Sequence, residues 1–199
     1  MKVYSIIGGV NGSGKSSLRG TLVAQRNDMG VIVDTDAITA SCGGDKILGG
    51  KKAIKIINAC LEKGCNLTQE TTLSGKMIEK TISRAKEKGY YIKLYYVAVG
   101  TVEESLARIK NRVAKGGHNI PAEDVIRRYN KRFVDLSRIL PLCDEAQFYD
   151  NENGFIQVAE YSNGEITKKG DAVPDWLVEL MEMCNVQTSL LEDDENMRY

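Results

Sequence analysis

Residues 6–17 read IIGGVNGSGKSS, four glycines and one lysine set directly after an apolar run. Gly9, Val10, Asn11, Gly12, Ser13, Gly14, Lys15 and Ser16, followed by Ser17, match G-x-x-x-x-G-K-[ST] at every fixed position. Each fixed residue type has a chemical reason. Backbone N–H groups can curl around phosphate oxygens only in conformations that residues without a Cβ reach freely. A helix opening at the end of the loop adds amide donors and a dipole that favours an anion. Lys15 brings a full charge to β- and γ-phosphates, and the Ser16 hydroxyl can ligate Mg²⁺. A glycine-rich turn with an incidental lysine would not need to stand between a strand and a helix, as this one does. The dinucleotide fingerprint G-x-G-x-x-G fails, because Ser17 occupies the place of its last glycine. The loop reads as a nucleoside triphosphate site.

Two groups of acids follow, at what read as strand ends: Asp34 and Asp36 in VDTDAI, and Glu70 in QETT with Thr71 and Thr72. Ligands of open α/β sheets bind outside the carboxyl ends of the strands. Phosphoryl transfer needs one carboxylate to accept a hydroxyl proton and another to manage the metal or its waters. Strand-end acids also cap helices. For Asp34 the two readings stand side by side, whereas Asp36, set further into the crevice, is assigned to function.

Between Arg108 and Arg132 stand eight lysines and arginines against Glu123 and Asp124. Two basic helices joined by GGHNIP describe a lid at about residues 108–132, able to bring cations to the transferred phosphoryl group and exclude water. Arg112 and Arg128 are the preferred contacts. For His118, the single histidine, loop support and phosphate contact both remain open. Tyr129 and Phe133, at i and i+4, read as a packed helix stripe rather than as stacking platforms. No nucleic-acid partner is expected.

The elements that must carry these residues alternate as in a parallel sheet with crossover helices. Strands are expected at 3–7, 31–34, 66–70, 90–99, 145–151 and 154–161, the last followed by a turn at Asn163 and Gly164. Helices are expected at 16–25, in the C-terminal part of 46–63, and at 74–88, 102–115, 122–140 and 174–184. One domain over residues 1–184 and a flexible tail over 185–199 are expected. The balanced charge (27 basic against 27 acidic residues) sets up no whole-molecule field toward nucleic acid or membrane. Cys42, Cys60, Cys65, Cys143 and Cys184 form an odd set without C-x-x-C spacing, which favours a reducing compartment over a disulfide framework or zinc site. No apolar run approaches the ~18 residues of a membrane span, and no secretory signal is read in MKVYSIIGG, so a cytoplasmic location is expected.

Taken in order and spacing, GGVNGSGKSSLRG, VDTDAI, QETT and GGHNIPAEDVIRRYNKRF resemble the zeta toxin family of P-loop kinases, over residues 3–150. The resemblance implies an α/β P-loop fold, a mainly parallel β-sheet flanked by helices with a helical lid. It implies ATP and Mg²⁺ as cofactors, and transfer to the 3′-hydroxyl of a UDP-N-acetylhexosamine, with UDP-N-acetylglucosamine leading. A protein antitoxin is the implied partner beside this small-molecule hydroxyl acceptor. By the same resemblance Asp36 is the general base, Glu70 and Thr72 face the sugar nucleotide, and Lys15 and Ser16 hold ATP and metal. Arg112 matches one of the two lid arginines usual in the family, while His118 stands near where the other belongs. A kinase of another metabolite, such as a nucleoside or nucleotide, is the alternative within enzymes. A P-loop switch is the alternative outside them, although the N-K-x-D motif of guanine-specific switches is absent.

Overall fold

The computed structural model describes residues 1–117 and 119–184. His118 and the expected tail at 185–199 lie outside the described residues. The chain runs β1 (Lys2–Gly8), α1 (Lys15–Gln25), β2 (Val31–Asp34), α2 (Thr35–Ser41), α3 (Lys46–Lys63), β3 (Leu67–Thr71), α4 (Met77–Glu87), β4 (Tyr90–Ala98), α5 (Val102–Ala114), α6 (Ala122–Asn130), α7 (Arg132–Ile139), β5 (Glu145–Asp150), β6 (Ile156–Ser162) and β7 (Glu165–Lys168). A closing helix occupies 175–184.

All seven strands form one sheet in the order β2-β3-β1-β4-β5-β6-β7. The first five are parallel, and β6 and β7 extend the sheet antiparallel. β1 is central and buried from Val3 to Gly8, as expected of a strand covered on both faces. From β1 the chain passes to the far side of β3, then crosses back over β1 to β4. That reversal opens a crevice at the carboxyl end of β1, where the glycine loop begins. Register sets the acids beside it: Ile7 pairs with Glu70, and Glu70 with Asp34.

Four differences from the sequence expectations have local causes. Asp34 accepts a hydrogen bond from the Ala37 N–H (3.0 Å) and so starts the unexpected helix α2, whose first turn carries Asp36. α3 is helical through Gly49 and Gly50, because Gly49 lies against α2: a Cβ there would come within 2.1 Å of the Thr39 hydroxyl. The helix expected over 122–140 breaks at Lys131 (φ −96°, ψ −1°). The break lets Tyr129 pack on Val10 and Val99 while Phe133 enters the main core beside Trp176. The Arg132 guanidinium lies 4.0 Å from the Tyr129 ring centre and 4.1 Å from that of Phe133, and pairs with Glu179 of the closing helix (2.6 Å). Finally, Asn163 (φ 53°) and Gly164 (φ 87°) turn β6 into the unexpected strand β7.

Candidate active site

The glycine loop leaves β1 at Gly8 and enters α1 through Gly14. Lys15 folds back across it, and its Nζ donates to the Val10 carbonyl (2.9 Å). Burial lowers the Lys15 pKa to about 8; Glu70 and Asp36 pull it up in part, and Arg112 and Arg128 add to the lowering. These four residues, named from separate stretches of sequence, therefore act on one ammonium. The Ser16 hydroxyl donates to Glu70 Oε1 (2.8 Å). Arg19, one turn further along α1, pairs with Asp34 Oδ2 (2.7 Å) and Glu70 Oε2 (3.2 Å).

A cleft of about 530 Å³ lies over the loop. Asn11, Gly12, Gly14, Lys15, Ser16 and Ser17 line its floor, while Gly9 and Ser13 are buried beneath. Asp34, Asp36, Glu70 and Arg112 line the walls. A second cleft of about 240 Å³ runs between α2 and the lid, lined by Thr39, Lys46, Ile120, Asp124 and Arg128 among others. Asp36 and Ala40 are common to both clefts.

Arg128 donates from Nη1 to the Asn11 side-chain oxygen (2.8 Å), so α6 touches the loop directly. Arg112 faces the large cleft from the last turn of α5. Asp34 is engaged on both oxygens, as helix cap and as partner of Arg19. Burial alone would raise its pKa, but the Ala37 N–H and Arg19 outweigh burial and hold the carboxyl below its ordinary value. Thr72 bonds to the Ser74 hydroxyl (3.2 Å) and lines neither cleft. Glu70, expected at the sugar nucleotide, sits against Ser16 and lines the large cleft.

The pairing of Ser16 Oγ with a carboxylate oxygen supplies hard oxygen ligands of the kind Mg²⁺ takes. Mg²⁺ bound with a nucleotide uses one or two carboxylates plus phosphate oxygens, so this donor set fits it.

Sequence reading missed Asn151 and Ser105, and counted Arg108 among the lid cations without assigning it a contact. Asn151 and Arg108 line the large cleft, and Asn151 and Ser105 hydrogen-bond to the loop's backbone. No local motif marks them; they lie 138 and 94 residues from the loop positions they touch.

The family model described as Zeta toxin matches residues 51–153, just over half of the 199. The glycine loop and Asp36 precede that stretch, so their assignment rests on the motif and the geometry. An uncharacterized protein of Haemophilus influenzae is 37% identical over 124 residues, spanning 60% of this chain and 86% of its own length. Among solved structures, a chain of the PezAT chromosomal toxin–antitoxin system of Streptococcus pneumoniae has a TM-score of 0.62 at 17% identity, covering 94% of this chain and 87% of that one. The AvrRxo1-ORF1:-ORF2 complex with ATP gives 0.65 at 19% identity, covering 92% of this chain and 63% of that one. At such identities the two structures speak for the fold alone.

Proposed function

The chain belongs to the zeta toxin family and is a phosphotransferase; from that premise we propose that it moves the γ-phosphoryl group of ATP to a hydroxyl of a sugar nucleotide, with the 3′-hydroxyl of UDP-N-acetylglucosamine as the leading acceptor. One observation carries this reading: Asp36 lies where the triphosphate cleft meets the smaller cleft, and it lines both. A hydroxyl entering from the smaller cleft meets a carboxylate before it meets phosphorus.

The roles follow from position. Loop amides and Lys15 hold the β- and γ-phosphates. Asp36 takes the hydroxyl proton as the acceptor oxygen bonds to the γ-phosphorus and the bond from that phosphorus to the ADP oxygen breaks. Arg112 and Arg128 face the charge on the transferred group. Ser16, with Glu70 behind it, would hold Mg²⁺, which would supply positive charge to offset that of the triphosphate. Glu70 thereby gains a metal-supporting role beside the sugar contact implied by the resemblance, a contact implied also for Thr72, which lines neither cleft.

The volume of the smaller cleft favours a second reading. At about 240 Å³ it falls below the roughly 300 Å³ at which pockets enclosing a drug-sized ligand begin. That volume suits a smaller acceptor, such as a nucleoside, better than a whole UDP-sugar. Mass spectrometry of a metabolite extract incubated with protein, ATP and Mg²⁺ separates the cases. Phosphorylated UDP-N-acetylglucosamine supports the first reading, another phosphorylated metabolite the second. Free phosphate with no phosphorylated acceptor would make the protein a nucleotide-dependent switch and end both. A protein antitoxin belongs to the same proposal, supported by the toxin–antitoxin system that the fold resembles. So does a cytoplasmic site of action; among the described residues no helix is long and apolar enough to cross a membrane.

A further inference from the structure

Two polar side chains close on the backbone of the glycine loop. Asn151, the residue after β5, donates from Nδ2 to the Ser13 carbonyl (2.8 Å). Ser105, buried in α5, donates from Oγ to the Asn11 carbonyl (3.0 Å). Each meets the loop one residue before a glycine. A Cβ on Gly14 (φ 102°) would lie 2.3 Å from Asn151 Nδ2, and one on Gly12 (φ 78°) would lie 2.7 Å from the Ser105 carbonyl oxygen. These two glycines let the loop take its left-handed turns and also let α5 and the end of β5 reach its backbone.

A trans peptide group is planar, so its C=O and N–H point in opposite directions. Holding the Asn11 and Ser13 carbonyls on Ser105 and Asn151 turns the Gly12 and Gly14 N–H groups away from those residues. Both glycines line the large cleft, and Asn151 lines its wall beside Gly14. Asn151 is itself fixed. Its N–H donates to the Ala98 carbonyl (3.1 Å), its carbonyl accepts from Arg108, and its neighbour Asp150 accepts from Trp176 Nε1 (2.8 Å).

We propose that Asn151 and Ser105 are positioning residues that set alternate peptides of the loop in their phosphate-binding orientation before a nucleotide arrives. Glycine peptides left unheld could flip, and each flip would replace an amide donor in the cleft with a carbonyl oxygen, which repels phosphate. The two residues act through the backbone, without touching the reacting atoms. They also tie the loop to α5, the stem of the lid. This inference rests on the reading of the loop as a triphosphate site.

The test compares Asn151→Leu, which keeps side-chain bulk without a donor or added charge, with Ser105→Ala, which removes a single hydroxyl. Calorimetry gives the affinity of each protein for Mg-ATP and for inorganic tripolyphosphate; melting gives the ligand-free Tm. Losing the donor strands a buried carbonyl, so Asn151→Leu should weaken both ligands by the same factor, about 10- to 100-fold, and Ser105→Ala by about 3- to 10-fold. KM for ATP should rise more than kcat falls. Weaker ATP binding with tripolyphosphate binding intact would make Asn151 a nucleoside contact and overturn the proposal. A lowered Tm with both affinities unchanged would assign the pair to packing and overturn it too. Should Asn151→Leu not fold, Ser105→Ala decides alone on the same two ligands. Wild-type protein that binds neither ligand removes the triphosphate reading as well, whereas wild-type binding with indifferent variants removes only the positioning role.

Discussion

The two ends of the active-site cleft are built differently. At the loop end, Lys15, Ser16, Glu70 and the carbonyls of Asn11 and Ser13 all have protein partners, and Lys15 is buried. At the α2 end, Asp36 is exposed, and no hydrogen bond or ion pair among the described residues holds its carboxylate. The loop end is organised without ligand, so little reorganisation remains when phosphate binds. On the proposed function, the α2 end needs the acceptor and the segment over 108–132 to complete it. Asp34 and Asp36, two residues apart, show the contrast most closely: the first caps a helix and pairs with Arg19, the second meets the cleft.

The largest effect expected belongs to the open end. Asp36→Asn should keep Mg-ATP affinity within a few-fold and lose phosphate transfer by about 10²–10⁴-fold, equivalent to roughly 3–5 kcal/mol of barrier. Calorimetry and a transfer assay on one purified variant check it; ATP binding lost together with transfer would place Asp36 in the organised end and erase the contrast. Next comes Lys15→Ala, expected to remove about 2–4 kcal/mol of Mg-ATP binding, a weakening of roughly 30- to 900-fold, with the fold retained by circular dichroism. Unchanged affinity would deny the loop its triphosphate. Smaller again are the lid arginines. Arg112→Ala and Arg128→Ala should each lower turnover roughly tenfold to a hundredfold, at or below the lower end of what one preorganised donor is worth. Arg128→Ala should also weaken ATP a few-fold, because Arg128 bonds to Asn11 of the loop. Equal effects on ATP affinity would blur the boundary between the ends.

The smallest effect is a pH dependence. Lys15, held down to about 8 against an ordinary 10.5, binds fewer protons in the folded than in the unfolded chain between those values. Its burial therefore costs stability fully below about pH 8, and the cost is relieved as pH rises toward 10.5. Nucleotide binding runs the other way, since triphosphate needs the ammonium. Mg-ATP affinity should be level up to about pH 8 and then fall, by at most about tenfold per unit. Titration calorimetry from pH 7 to 9.5 checks it; a flat profile would mean that the cation stays charged without ligand.

Much of this was legible in the sequence where the signal is local. The phosphate loop needs adjacent residues of fixed type, and β1, β2 and β4 carry their own β-branched and aromatic runs. Helix α2 was hidden by Thr35, Ile38 and Thr39, which are indifferent helix formers; only the Asp34 cap announced it. The break at Lys131 has no proline or glycine to mark it, because it answers to two separate apolar pockets that Tyr129 and Phe133 fill. For Thr72 and Glu70 only the family resemblance points to the sugar, because side-chain direction at a strand end depends on neighbours that the local sequence does not name. For Asn151 and Ser105 the obstacle is distance along the chain. Their partners are loop carbonyls, and a carbonyl is the same group at every residue.

The sheet's outermost strands bear on how the molecule behaves when crowded. β2 and β7 are each four residues long, and β7 carries Glu165 and Lys168 at its ends. A strand from a neighbouring molecule would find only a short ladder on either side, with charges at one and the exposed Val31 and Ile32 at the other. Short, charged edges are poor templates for adding strands. In concentrated solution the β7 side should resist ordered association best, and whatever stacking occurs would begin at Val31 and Ile32.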